Sequence, residues 1–158
     1  ILTNSGLDIS LKNKGIQLYR SDVGDKNVLQ LMRQTGSIIG GENSGHVINL
    51  EYSPSGDGLM TSLLVMKAMI ESGKPIDGLT NGLELIPQLN CNIEIDLQKL
   101  SDNLIDKISQ EENTKLKNGR VLIRKSGTEP LLRITVESTD ETTAKELIES
   151  IKTKISQA

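Results

Sequence analysis

Phenylalanine and tryptophan are missing from this chain, and tyrosine occurs only twice. Proteins that hold single-stranded nucleic acid stack its bases on aromatic rings, so that class is excluded. A carbohydrate module built on aromatic platforms is excluded too; any sugar bound here must be held by polar groups. A single cysteine rules out an internal disulfide framework and fits a reducing compartment, so a cytoplasmic location is expected. No apolar run approaches the roughly 18 residues that a membrane-spanning helix needs, and no secretory leader is visible. Charge of one sign is also lacking. Eighteen basic and 21 acidic residues are interspersed to a net −3, so neither nucleic acid nor a membrane is an expected partner. The chain opens on Ile1-Leu2-Thr3, without an initiator Met and already strand-like. The expectation is a piece of a longer polypeptide whose upstream part is missing.

At 158 residues, length alone suggests one domain, but the pattern changes near Pro87. Before it, strands alternate with helices. Ile1–Asn4 reads as the end of a strand, Leu7 and Leu11 mark a short helix, and Ile16–Tyr19 alternates as a second strand. A helix carrying Val28, Leu31 and Met32 follows, stopped at Gly36. Asp57 is placed to cap a long helix whose Leu59, Leu63, Met66 and Ile70 fall on one stripe, expected to be core. After Pro87, Leu89, Cys91, Ile93 and Ile95 alternate with polar residues as a half-buried strand, which turns Cys91 inward as a structural thiol. A helix over 101–112 and strands around Val121–Ile123 and Leu132–Val136 come next. Asp140 then caps a final helix with Ala144, Leu147, Ile148, Ile151 and Ile155 on its apolar face. The expected class is α/β. Residues 1–86 form a mixed-sheet α/β/α sandwich with at least one antiparallel pair. Residues 87–158 form a small α+β domain, an antiparallel sheet with two helices on one face.

Two stretches carry chemistry. Gly40-Gly41-Glu42-Asn43-Ser44-Gly45-His46 lies between two β-branched runs, so it reads as strand, polar loop, strand. Its glycines let a ligand approach the backbone. Its carboxylate, amide, hydroxyl and imidazole, the chain's only histidine, can donate to and accept from sugar hydroxyls. The same composition also suits a tight hairpin whose polar residues are merely solvated. The second stretch is Arg124-Lys125-Ser126-Gly127-Thr128-Glu129-Pro130, between the last two strands. It is not a nucleotide P-loop, because the glycine–lysine order is wrong and no helix follows. Arg124 still offers a planar fork for two phosphate oxygens, Ser126 and Thr128 offer hydroxyl donors, and Gly127 would let backbone N–H groups turn inward as a nest. Arg133, on the polar face of the next strand, would add a charge. A hairpin with its charges in water remains the alternative. A sugar phosphate held across a cleft between the domains would use both stretches.

At these residues the chain resembles the α-D-phosphohexomutases. Gly41–His46 is similar to the sugar-binding loop of that family's third domain, and Arg124–Pro130 to the phosphate-binding loop of its fourth. The resemblance covers essentially the whole chain. It implies that Glu42 and Ser44, with Asn43 and Gly45 in the same loop, bind sugar hydroxyls and that His46 lies beside the reacting end as the catalytic candidate. Arg124, Ser126, Gly127 and Thr128 would hold the phosphate that is not being transferred, with Arg133 nearby, and Gly24-Asp25-Lys26 would form a third edge of the cleft. Lys26 departs from the family, which usually has Arg there; a lysine lacks the bidentate fork. The family also carries a phosphorylated serine in its first domain and an aspartate loop for Mg²⁺ in its second. Nothing here matches either, since Ser55-Gly56-Asp57-Gly58 has one carboxylate and reads as a turn and cap. The expectation is therefore the third and fourth domains of a four-domain enzyme, inactive alone. Its missing N-terminal domains would be its partners, and Mg²⁺ would be a cofactor of the full-length protein with no ligand in this chain. The Asn43 variant, Val23-Gly24-Asp25-Lys26 and the wording of the phosphate loop point to one bacterial branch. That branch interconverts glucosamine 6-phosphate and glucosamine 1-phosphate through a bisphosphorylated sugar, on the way to cell-wall amino sugars. The alternatives are glucose- or mannose-phosphate members, or a non-enzymatic sugar-phosphate-binding protein of the same fold.

Overall fold

The structure, a computed structural model, describes residues 1–157. It divides into two units, Ile1–Glu84 and a second from Leu85 onward.

In the first unit, α1 (Ser5–Asn13) starts where Asn4 Oδ1 accepts from the Gly6 N–H at 2.8 Å. Helix α2 (Asp25–Thr35) begins at Gly24 with φ 116° and ends at Gly36 in the left-handed conformation. It buries Val28 and Met32, which pack with Ile48 as the unit's core cluster. Strands β1 (Ile39–Gly41) and β2 (Val47–Asn49) pair antiparallel, Gly41 opposite Val47. Gly40 must be glycine for packing, because a Cβ there would sit 2.4 Å from Met32 Sδ. Helix α3 (Gly58–Ser72) is capped as expected, Asp57 Oδ1 accepting from the Met60 N–H at 2.9 Å. It stops at Gly73, and a 3₁₀ turn (Asp77–Thr80) follows.

Two expectations are corrected in this unit. Residues 1–4 and 16–19 join no ladder, so the only paired strands among its described residues are β1 and β2, and the partly parallel arrangement is not formed. The extended segments are tied instead by isolated bonds, the Ile1 backbone nitrogen to Ser21 O at 2.6 Å and Arg20 Nη1 to Thr3 O. A cavity of about 510 Å³ is lined by Ile1, Leu7, Ile16, Leu18 and Ile39 among others. The second correction is α3, which buries none of its residues; Leu59 is 75% and Ile70 82% exposed. The stripe is real, but no described element of the first unit covers it.

The second unit matches its expected pattern closely. Strands β3 (Gln88–Glu94), β4 (Gly119–Lys125) and β5 (Leu131–Ser138) form one antiparallel sheet in the order β3-β5-β4. Leu132, Ile134 and Val136 on central β5 are essentially inaccessible. Helices α4 (Asp102–Asn113) and α5 (Glu141–Ser156) lay Ile105, Ile108, Leu147, Ile148, Ile151 and Ile155 onto that face. Each such side chain contributes roughly 1.5–3 kcal/mol by leaving water. Cys91 packs against this cluster, as a structural thiol would.

Candidate functional site

The sugar-loop residues close the β1–β2 hairpin. The Glu42 N–H donates to His46 O at 2.9 Å and the Gly45 N–H to Glu42 O at 3.0 Å. Gly45 has φ 86°, which only glycine adopts readily in so tight a turn. The turn reaches back to the start of α2. Glu42 Oε1 accepts from the Gly24 N–H at 2.8 Å, and His46 Nε2 lies 3.8 Å from Asp25 Oδ2. The Asn43 amide donates to Leu2 O at 3.1 Å. So Gly24, Asp25, Glu42, Asn43 and His46 converge, and a cavity of about 310 Å³ opens onto Gly24, Glu42, Asn43 and Ser44. Ser44 and Lys26 are exposed, with no hydrogen bond from either side chain among the described residues. Sequence reasoning missed Gly56, against which the imidazole rests; a Cβ there would stand 2.1 Å from His46 Nε2. Its place in a Ser-Gly-Asp turn signals only a turn.

The phosphate-loop residues lie at the β4–β5 turn, in the second unit. Register places Arg124 opposite Arg133 and Lys125 opposite Leu132, and the Ser126 N–H donates to Leu131 O at 2.8 Å. The two arginines are thus cross-strand neighbours on one face of the sheet, a pairing of like charges that is unfavourable unless an anion joins it. Arg124 is half-buried, with no ion-pair partner among the described residues. Arg133 Nη2 bonds Glu129 Oε2 at 2.7 Å, while its Nε is buried without a partner. Ser126 is 8% exposed, and its Oγ is buried and unpartnered. A buried hydroxyl without a hydrogen bond costs about 1–3 kcal/mol, which a ligand oxygen would recover.

Three further details describe the loop. Lys125 is turned away from the loop, its Nζ bonding Leu100 O at 2.7 Å and Asp102 Oδ1 at 2.8 Å. Gly127 is not in a positive-φ conformation, so the expected nest does not rest on it, and a Cβ there would meet nothing within 4 Å. Thr128 is exposed. Among the described residues no three His, Cys, Asp or Glu side chains converge as metal ligands. These residues therefore do not fit a Mg²⁺ site.

The family model "Phosphoglucomutase/phosphomannomutase, alpha/beta/alpha domain III" matches residues 1–85, and "Phosphoglucomutase/phosphomannomutase, C-terminal domain" matches residues 90–154. The chain belongs to the phosphoglucomutase/phosphomannomutase family. It is 41% identical over 160 residues to phosphoglucosamine mutase 1 of Shewanella amazonensis, covering 99% of this chain and 36% of that protein. It is 40% identical over 165 residues to phosphoglucosamine mutase of Ruminiclostridium cellulolyticum, covering 99% and 37%. This similarity fits the C-terminal part of a phosphoglucosamine mutase. The chain spans about a third of the length of these curated relatives. Among solved structures, N-acetylphosphoglucosamine mutase of Aspergillus fumigatus matches 98% of this chain and 36% of its own, with a TM-score of 0.79 and 15% identity. A second structure of that enzyme, in complex with GlcNAc-6P and magnesium, matches 68% of this chain and 23% of its own, with a TM-score of 0.51 and 21% identity. These structural likenesses concern the fold.

Proposed function

We propose that this chain is the substrate-binding part of an enzyme interconverting glucosamine 6-phosphate and glucosamine 1-phosphate. Glu42, with Asn43, Ser44 and Gly45, binds sugar hydroxyls. His46, steadied by Gly56 and Asp25, stands beside the reacting end, and Gly24, Asp25 and Lys26 edge the site. Arg124, Ser126, Gly127 and Thr128, with Arg133, hold the phosphate that stays on the sugar. The observation that carries this reading is the buried, unpartnered Ser126 hydroxyl, two residues along from Arg124, which has no ion-pair partner among the described residues and pairs in register with Arg133. Such a cluster of donors lacks one thing, an oxyanion. Identity of about 40% to bacterial phosphoglucosamine mutases favours the hexosamine phosphate over other sugars.

The phosphoserine and the Mg²⁺ of the reaction belong, in this proposal, to further domains of a longer polypeptide. The residues here bind and orient the substrate, so the 158-residue chain alone binds but does not turn over.

Calorimetry with glucosamine 6-phosphate and with free glucosamine tests the phosphate loop. Arg124→Ala should weaken binding of the phosphorylated sugar about ten- to a hundredfold, because charged hydrogen bonds are lost, and leave the free sugar nearly unaffected. Equal losses for both ligands would refute the assignment. Turnover of glucosamine, glucose and mannose phosphates by the full-length protein decides the substrate; preference for a hexose phosphate would replace the hexosamine reading.

A further inference from the structure

The charges around the phosphate loop are mostly spoken for. Lys125 is paired with Asp102, and Arg133 with Glu129. Glu129 sits within the loop itself, and its backbone is restricted by the proline that follows it and by the Leu131 N–H, which donates to Glu129 O at 2.8 Å. Its carboxylate takes only one donor of Arg133, Nη2, and leaves the buried Nε without a partner. A carboxylate placed to brace an arginine would use the fork with both oxygens. An exposed one-point pair is weak, worth little beside the strand ladder that already fixes Arg133.

We infer that Glu129 is a built-in competitor of the ligand, occupying Arg133 in the empty loop until a phosphate dianion takes the arginine from it. The inference rests on the proposed phosphate site and deepens it. A carboxylate offers one charge to the Arg124–Arg133 pair, whereas a phosphate dianion offers two charges and three oxygens. The exchange therefore favours the dianion while keeping the grip weak enough to reverse.

The test uses the 158-residue chain and inorganic phosphate, with binding followed through the amide resonances of Ser126, Gly127 and Thr128. Glu129→Gln and Glu129→Ala should each tighten phosphate binding about two- to fivefold, the range of an exposed ion pair. In an Arg133→Ala background the gain from Glu129→Gln should vanish, because the competition runs through that arginine. Unchanged or weaker binding in Glu129→Gln overturns the inference, and so does an equal gain in the Arg133→Ala background, which would mean only a general field effect. The two readings fail separately. If Arg124→Ala leaves phosphate affinity intact, the phosphate site itself falls. If Arg124→Ala weakens binding but Glu129→Gln does not tighten it, only the role of Glu129 falls.

Discussion

His46 owes its position to an absence of atoms. Gly56 leaves room for the imidazole, and a methyl group there would overlap it at 2.1 Å from Nε2. The overlapped atoms end a side chain rather than belonging to a backbone, so the ring can swing away at small cost. Gly56→Ala should therefore change stability by less than about 1 kcal/mol. It should still shift the His46 ring resonances and weaken glucosamine 6-phosphate binding by the full-length protein. An unmoved ring would show that Gly56 does not place it. At this scale the candidate residues were legible in the sequence as types and spacing. Their couplings were not. That Glu42 is bonded to Gly24, or that Lys125 is turned to Asp102, depends on side-chain rotamers and on neighbours distant along the chain.

Two elements of the second unit are fastened at points that can be tested one by one. Glu112, fully buried on α4, accepts from Lys115 Nζ at 2.7 Å and Ser150 Oγ at 2.9 Å, and lies 2.9 Å from Lys154 Nζ on α5. Burial alone would push its carboxyl up, but the hydrogen bonds from Lys115, Lys154 and Ser150 outweigh it and hold the carboxyl below its ordinary 4.5. A group depressed on folding contributes stability above its unfolded value and loses it as pH falls through the folded one. Acid unfolding of this unit should therefore set in below about pH 4.5, and Glu112→Gln should flatten that dependence. At neutral pH the same variant should cost about 1–3 kcal/mol, read by denaturant titration. Gly119, which opens β4 with φ 116°, meets a stricter limit. A Cβ there would lie 2.0 Å from the Glu137 carbonyl oxygen, which is backbone and cannot swing aside. Gly119→Ala should lower stability by about 2–4 kcal/mol, seen as a lower unfolding midpoint. The contact with β5 appears only once the strands are paired.

Across the whole molecule, burial is uneven. The second unit's core joins β4 and β5 to α4 and α5, whereas the first buries only Val28, Met32 and Ile48 in its cluster. Cooperative opening follows buried apolar area. Hydrogen exchange should thus be slowest at β5 amides such as Ile134 and fastest in the first unit, and limited digestion with thermolysin, which cuts before large apolar residues, should leave a resistant product beginning near Leu85. Comparable protection in both units would contradict this. Helix α3 should behave as a surface element in this chain: Ile70→Gln should change stability by less than about 0.5 kcal/mol and reduce binding of a hydrophobic dye. A large stability loss would mean that the face is covered in solution.

The amino-acid sequence alone settled where helices begin and end, which residues of the second unit turn inward, and which two loops hold the candidate chemistry. These are local matters of periodicity, capping and side-chain type, carried by a few consecutive residues. Tertiary structure decided that the stretches at Ile1 and Ile16 stay outside any ladder and that the α3 stripe lies open. It also decided that Arg124 confronts Arg133 while Glu129 claims one of that arginine's donors. Pairing and burial require a partner surface, and a segment's own pattern states only which side needs one.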